Sequence, residues 1–243
     1  MEFSWEHFFR FLFGEYMLTG VWTTLWLACV AMLLGCTLGV VVAFMKMSRY
    51  WAPRQFANLF IWVWRGTPLL VQMVIIYTVL PLFGLKLGVI SSAILALSLH
   101  EAAYFAEIVR SGILSVNKGQ TDASLALGMT WPQRMRYVIL PQATRIIIPP
   151  LGNQFTLMIK TTSIASVISM EELFRRTQQL AQFEFRVLEA YLGAACWYLL
   201  MTTVWGEIQK RLEAHYDRPF GPLSDEDGKK PERPVTGDAA AQV

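Results

Sequence analysis

Five apolar runs punctuate the chain, and their lengths are those of membrane spans. Residues 16–45 carry no charge over 30 positions, well beyond the roughly 20 that a bilayer's hydrocarbon layer requires. A second run of 20 residues, 66–85, begins directly after Arg65. The third, 87 to about 111, is broken by His100, Glu101 and Glu107, and the fourth, 146–170, contains Lys160. The fifth, 190–206, has 17 residues. Charge inside a span is costly against lipid, so the third and fourth are expected to be enclosed within a bundle. The pattern predicts an all-α, polytopic membrane protein with five transmembrane helices and a membrane domain over residues 16–210.

Composition agrees. Hydrophobic residues make up 54% of the 243 positions and charged ones 16%, against roughly 25% charged in soluble domains. A net charge of +3, with no basic stripe interleaved with aromatics, excludes a nucleic-acid binder. Cys29, Cys36 and Cys196 lie in apolar runs and read as small buried hydrophobes, and an odd count without paired spacing argues against a disulfide framework. His7, His100 and His215 lack metal-ligand spacing, and His100 reads as a satisfied buried histidine. No nucleophile–base arrangement occurs, so no catalytic residue, metal or cofactor is assigned to this chain.

Residues 1–15 hold Glu2, Glu6 and Glu15 but only Arg10. They lack the positive n-region of a signal peptide, so this segment is expected to stay on the protein. With Phe3, Trp5, Phe8, Phe9 and Leu12 it reads either as a short interfacial helix or as a frayed end. Orientation follows from the basic residues. The first and third loops and the tail hold fourteen (Lys46, Arg49, Arg54; Arg110, Lys118, Arg134, Arg136, Arg145; Lys210, Arg211, Arg218, Lys229, Lys230, Arg233). The opposite side holds five, Arg10, Lys86, Arg175, Arg176 and Arg186. That bias places the N-terminus outside and the C-terminus in the cytoplasm. Residues 217–243, rich in Pro, Gly, Asp and Lys, read as a disordered cytoplasmic tail. No internal repeat is visible.

The third loop, about 112–145, carries the most specific pattern. Residues 119–128 read as a short helix with Thr121 as its cap, Asp122 at the positive end of its dipole, and Gly128 in the left-handed turn that ends it. A second helix follows, with Thr130 as cap, Pro132 in its first turn, 133–140 as its body and Pro141 as its stop. Ala123, Leu125, Ala126, Leu127 and Met129 form an apolar ridge. A loop that only connects spans is short and polar. This one reads as a docking surface for another protein, or as packing against the chain's own helices.

Here the chain resembles the permease subunits of ATP-binding-cassette importers. Their cytoplasmic motif is Glu-Ala-Ala, three residues, Gly, nine residues, Ile, any residue, Leu-Pro. This chain has Asp122-Ala123-Ser124, then Gly128, then Val138, Ile139, Leu140-Pro141 at the same spacing. Asp122, Ser124 and Val138 depart from the pattern. Glu101-Ala102-Ala103 copies the letters but has no Gly six residues after Glu101 and lies in the third span. Further stretches resemble the polar amino acid uptake subfamily: Arg65-Gly66-Thr67-Pro68-Leu69-Leu70-Val71-Gln72, Ala103-Tyr104-Phe105-Ala106-Glu107-Ile108-Val109-Arg110, Ile139-Leu140-Pro141-Gln142-Ala143, Asn153, and Lys160-Thr161-Thr162-Ser163.

The resemblance implies the type I importer permease fold in the cytoplasmic (inner) membrane. It implies a coupling helix, with Asp122, Ala123, Ser124, Leu127, Gly128, Met129, Leu140 and Pro141 toward an ATPase subunit. The implied partners are two ATPase copies, a second permease that is identical or a sister, and a periplasmic or extracellular amino-acid-binding protein. No Gly-x4-Gly-Lys-Ser/Thr occurs here, so ATP and magnesium are expected in the separate ATPase.

For the substrate, Arg65 offers a planar fork to an α-carboxylate, with Thr67 nearby. It equally reads as an interfacial anchor, or as a partner of Glu101 or Glu107. Lys160 reads as a structural cross-helix pair. In the fourth span, Asn153, Gln154, Thr156, Thr161, Thr162, Ser163 and Ser166 either line a path or bond neighbouring helices, and Asn153, Gln154 and Ser163 join Arg65 and Thr67 as the candidate substrate set. The absence of a carboxylate from the fourth and fifth spans leans away from a cationic amino acid, with Glu101 as the one alternative. An ion-gradient symporter would share the spans but would need no ordered loop of this spacing. A lipid-modifying enzyme would need a His/Asp/Glu cluster that is missing.

Overall fold

The computed structural model describes residues 3–217, and the expected 217–243 tail lies outside them apart from its first residue. The described residues are helical, with no strand. Trp5–Leu12 (α1) is a true helix: the Ser4 hydroxyl caps it at the His7 N–H. It is pinned to the long helix Val187–Asp217 (α10). Ser4 N–H donates to Glu189 Oε1 at 3.0 Å, and Trp197 Nε1–H donates to the Leu12 carbonyl at 2.8 Å. Those contacts, with Phe8 and Phe11 buried, hold the segment against α10.

Glu15–Lys46 (α2) and Val89–Leu114 (α5) form the central pair, and small residues let their backbones touch. A Cβ on Gly35 would lie 2.7 Å from Glu101 Cβ, and one on Gly39 would lie 2.9 Å from the Ala102 carbonyl oxygen. Ala28, Ala31, Ala96, Ala102 and Ala106 are fully buried around this seam. Lys46 and Arg110 both hold Glu107, Arg110 through Nε at 3.0 Å and Nη2 at 2.9 Å, so the two helices are tied at this end by charge.

Two expected elements differ. The second span is not one straight helix over 66–85. Trp51–Gly66 (α3), read from sequence as loop, is helical and meets Leu69–Val74 (α4) and its continuation to Phe83 at a 105° bend. Thr67 precedes Pro68, which drives it out of the helical region to φ −120°, ψ 148°. The two limbs have the length and hydropathy of one span only when taken together. Among the described residues, α2, α5 and α10 are the three single helices long and apolar enough to cross a membrane, and the bent pair makes a fourth when taken as one span. The helix expected at 146–170 begins earlier, as Leu140–Thr161 (α8), and ends in a 3₁₀ turn, Thr162–Ile168. Arg145, Asn153, Gln154 and Lys160 keep α8 out of that apolar set. Pro149 and Pro150 lie inside α8, and Trp205 Nε1–H and the Gln209 amide from α10 bond the Gly152 and Pro149 carbonyls beside them.

Pro81 and Pro141 act alike. Each follows a single π turn, Ile75–Val79 and Met135–Ile139, in which Leu80 N–H reaches the Ile75 carbonyl and Leu140 N–H reaches that of Met135. A proline has no N–H and crowds the carbonyl four residues before it, and the wider turn absorbs both effects. Pro141 therefore opens α8 and does not stop the loop helix.

The helix Leu173–Phe183 (α9) is fastened by a buried carboxylate. Glu172 accepts the N–H groups of Phe174 and Arg175 at 2.9 and 2.7 Å and the Tyr198 hydroxyl at 3.1 Å, while Thr24 Oγ1 accepts the Leu173 N–H. Burial pushes the Glu172 carboxyl above the usual carboxylate range, against the opposing pull of those donors. The cysteines are free but not buried as expected: Cys29 and Cys196 are exposed, and Cys36 is half-buried against the cluster of Val42, Phe105 and Val109.

Candidate functional site

The loop between α5 and α8 is ordered. Lys118–Ala126 (α6) is capped by Asn117, whose Oδ1 accepts the Gly119 N–H at 2.7 Å; Thr121, the expected cap, lies inside the helix. Its end is a double hydrogen-bonded turn: Gly128 N–H donates to the Leu125 carbonyl at 2.9 Å and Met129 N–H to that of Ser124 at 3.1 Å. Gly128 has φ +72°, the left-handed conformation that glycine alone takes at little cost. After it, Thr130 and Gln133 bond each other and open the short helix Trp131–Arg134 (α7).

The ridge is turned outward: Leu127 is 78% and Leu125 51% exposed, with Asp122, Ala123 and Ala126 exposed beside them. Met129 is half-buried, and Leu140 and Pro141 are exposed at the start of α8. Ser124 is the exception. It is 3% exposed, and its hydroxyl donates back to the Thr121 carbonyl, so it faces the loop's own interior.

The second place is a cavity of about 420 Å³ where the end of α3 meets α5 and α8. Arg65, Asn153 and Gln154 line it together with Tyr104 and Glu107. The Arg65 guanidinium carbon lies 5.0 Å from the Tyr104 ring centroid, a cation–π contact. Neither expected ion pair of Arg65 forms: Glu107 is held by Lys46 and Arg110, and Glu101 receives the Gln154 amide at 3.3 and 3.4 Å.

Two members of the expected substrate set lie elsewhere. The Thr67 hydroxyl donates to the Val63 carbonyl and accepts from the Gln72 amide, each at 2.8 Å. Ser163 donates to the Lys160 carbonyl and lines a separate cavity with Ser166, Ser169 and Arg175. Thr156, Thr161 and Thr162 likewise spend their hydroxyls on their own backbone, which leaves Asn153 and Gln154 as the residues of that face that reach across to other helices. Lys160 is exposed and makes no cross-helix ion pair among the described residues, contrary to expectation.

Sequence reasoning named Gln72 at the end of the stretch that begins at Arg65 but gave it no role. Its amide N–H groups bond the Trp64 carbonyl at 2.9 Å, the Thr67 carbonyl at 3.1 Å and the Thr67 hydroxyl, and its oxygen meets His100 Nδ1 at 3.1 Å. One side chain thus satisfies the open end of α3 at the 105° bend and ties it to α5. A glutamine inside an apolar run, four residues after a proline, was the available signal.

Comparison with known proteins agrees with this architecture. The family described as "Binding-protein-dependent transport system inner membrane component" matches residues 35–218. The arginine transport system permease protein ArgU of Corynebacterium glutamicum is 39% identical over 230 residues, covering 89% of this chain and 73% of that protein. The glutamine transport system permease protein GlnP of Escherichia coli is 37% identical over 215 residues, covering 88% and 97%. A crystal structure of an amino acid ABC transporter with histidines superposes with a TM-score of 0.83 at 36% identity, covering 88% of this chain and all of that one.

Proposed function

We propose, from the premise that this chain belongs to the family of binding-protein-dependent transport system inner membrane components, that it forms the path of a polar amino acid through the cytoplasmic membrane. The chain is a permease subunit of an amino-acid ABC importer, and ATP is hydrolysed by separate subunits. It works with ATPase and binding-protein partners. Two ATPase copies, each holding ATP and magnesium, drive a pair of permeases, this chain with itself or with a sister chain. The binding protein delivers the amino acid from outside, where the N-terminus lies, while the C-terminus and the loop of α6 lie in the cytoplasm. There are five crossings in this reading: α2, the bent α3–α4 pair, α5, α8 and α10. Closure of the ATPases pushes α6, and the bundle swings from inward-facing to outward-facing.

The single observation that carries this reading is α6 itself: an ordered helix with Leu125 and Leu127 turned away from their own protein. Exposed apolar side chains on a rigid element are what a docking helix offers a groove. The cavity supplies the path, with Arg65 as the carboxylate clamp and Asn153 and Gln154 along its wall. Arg65→Lys tests the clamp. Lysine keeps the charge but loses the bidentate fork, a difference of about 1.5–3 kcal/mol for charge-assisted bonds. Amino-acid uptake at subsaturating substrate should fall about tenfold or more, with the complex still eluting intact on gel filtration. Unchanged uptake and unchanged binding by the purified complex would make Arg65 an interfacial anchor.

A further inference from the structure

Glu101 sits midway along α5 and is 3% exposed. Its stem is held against α2, where the place of a Gly35 Cβ is 2.7 Å from Glu101 Cβ. The only hydrogen-bond donor to its carboxylate among the described residues is the Gln154 amide, at 3.3 and 3.4 Å, and no cation pairs with it. A carboxylate buried in a span with one long, neutral hydrogen bond is an incomplete arrangement, because buried charge is stable when a counter-charge joins it.

The surroundings say what that counter-charge is attached to. Glu101 lines an inner cavity of about 170 Å³ whose walls include Leu69, Leu97, Leu157 and Met158, with His100 and Thr161 as polar neighbours. Tyr104 and Gln154 line this cavity and the outer one that holds Arg65. Arg65 lines only the outer cavity and Glu101 only the inner. The α-carboxylate and α-ammonium of an amino acid share one carbon, so a site for both falls within one cavity. A fixed cation in the outer cavity and a carboxylate without a counter-charge in the inner one, beside the leucines and Met158, match a molecule whose second charge is carried at the end of an alkyl stem.

We infer that Glu101 is the counter-charge for the cationic side chain of the transported amino acid and sorts cationic from neutral substrates. The inference rests on the importer reading of the preceding subsection. It reverses the lean drawn from the carboxylate-free fourth and fifth spans, because the carboxylate is supplied by α5. Arginine, lysine and ornithine are the matching class, with the carboxylate at Arg65, the alkyl stem past Tyr104 and Gln154, and the terminal cation at Glu101.

The test measures binding of labelled L-arginine and of L-citrulline, its neutral isostere, to the purified complex of this chain with its ATPase partner, the binding protein being left out so that its own selectivity is absent. Arginine should bind at least about tenfold more tightly than citrulline, the scale of one charge-assisted contact. Glu101→Gln should bring the two within about twofold by weakening arginine alone, and Glu101→Asp should keep a preference for arginine. Equal binding of arginine and citrulline by the unaltered complex overturns the inference without need of any variant. A parallel loss of both in Glu101→Gln also overturns it, since the carboxylate would then hold the α-ammonium. Failure of ATP-driven uptake for every amino acid, with the binding protein restored, strikes the importer reading instead.

Discussion

Gly128→Val should reduce ATP-driven uptake to below about a tenth of the unaltered protein, with the membrane helices still folded. Gly128 sits at φ +72° with nothing within 4 Å of where a Cβ would go, so the penalty is backbone strain and not a clash. A β-branched residue in the left-handed region costs roughly 1–2 kcal/mol or more. The nine-residue helix before it is mostly exposed and packs mainly on its own loop, through α7 and the Met135–Ile139 turn. Such a strain is relieved by reshaping that loop, not by unfolding α2 or α5. The two hydrogen bonds from Gly128 and Met129 aim the Leu125–Leu127 ridge, so the docking face moves. Co-purification of the ATPase and uptake into vesicles check this together; full uptake by Gly128→Val would remove α6 from the coupling role.

Gln72→Leu should be the most damaging polar-to-apolar change near the cavity. Leucine fills the space of Gln72, which is 6% exposed, but provides none of its four hydrogen-bond contacts. The half-buried Trp64 carbonyl and the Thr67 carbonyl at the bend then lose donors, at up to about 1–3 kcal/mol for a group left unpaired. The thermal midpoint of the purified protein should fall by several degrees. Because Arg65 lies between Trp64 and the bend, its stack on Tyr104 loosens too, and substrate uptake should drop about tenfold or more. A variant with unchanged midpoint and unchanged uptake would show that the bend is held by packing alone.

The parts legible in the sequence were those where one signal dominates. α2, α5 and α10 announce themselves by apolar length, and the 128–141 segment by Gly and Pro at fixed spacing. α3 stayed hidden because Arg54, Gln55, Asn58 and Arg65 interrupt its apolar residues and the basic ones counted as loop charge; its buried positions, Ala57 and Ile61, are one turn apart and belong to a helix. Pro141 read as a stop because a proline more often ends a helix, and only the π turn before it allows the chain to continue.

The cavity was half legible. An arginine at the edge of a span is conspicuous, and Asn153 and Gln154 are polar residues in a hydrophobic run. Which polar residues meet is a matter of helix rotation, and apolar length carries no such information. Thr67 and Ser163 sit beside the right residues in sequence but turn their hydroxyls to their own backbone, while Glu101 and Tyr104, one turn apart on α5, face the same walls as Gln154.

The most direct measurement of the central claim is amino-acid uptake into sealed vesicles holding this chain with its ATPase subunit, with the binding protein added outside. Accumulation should require all three components and ATP at the face bearing α6, and should continue when ion gradients are collapsed. Uptake driven by a sodium or proton gradient without ATP would contradict the account.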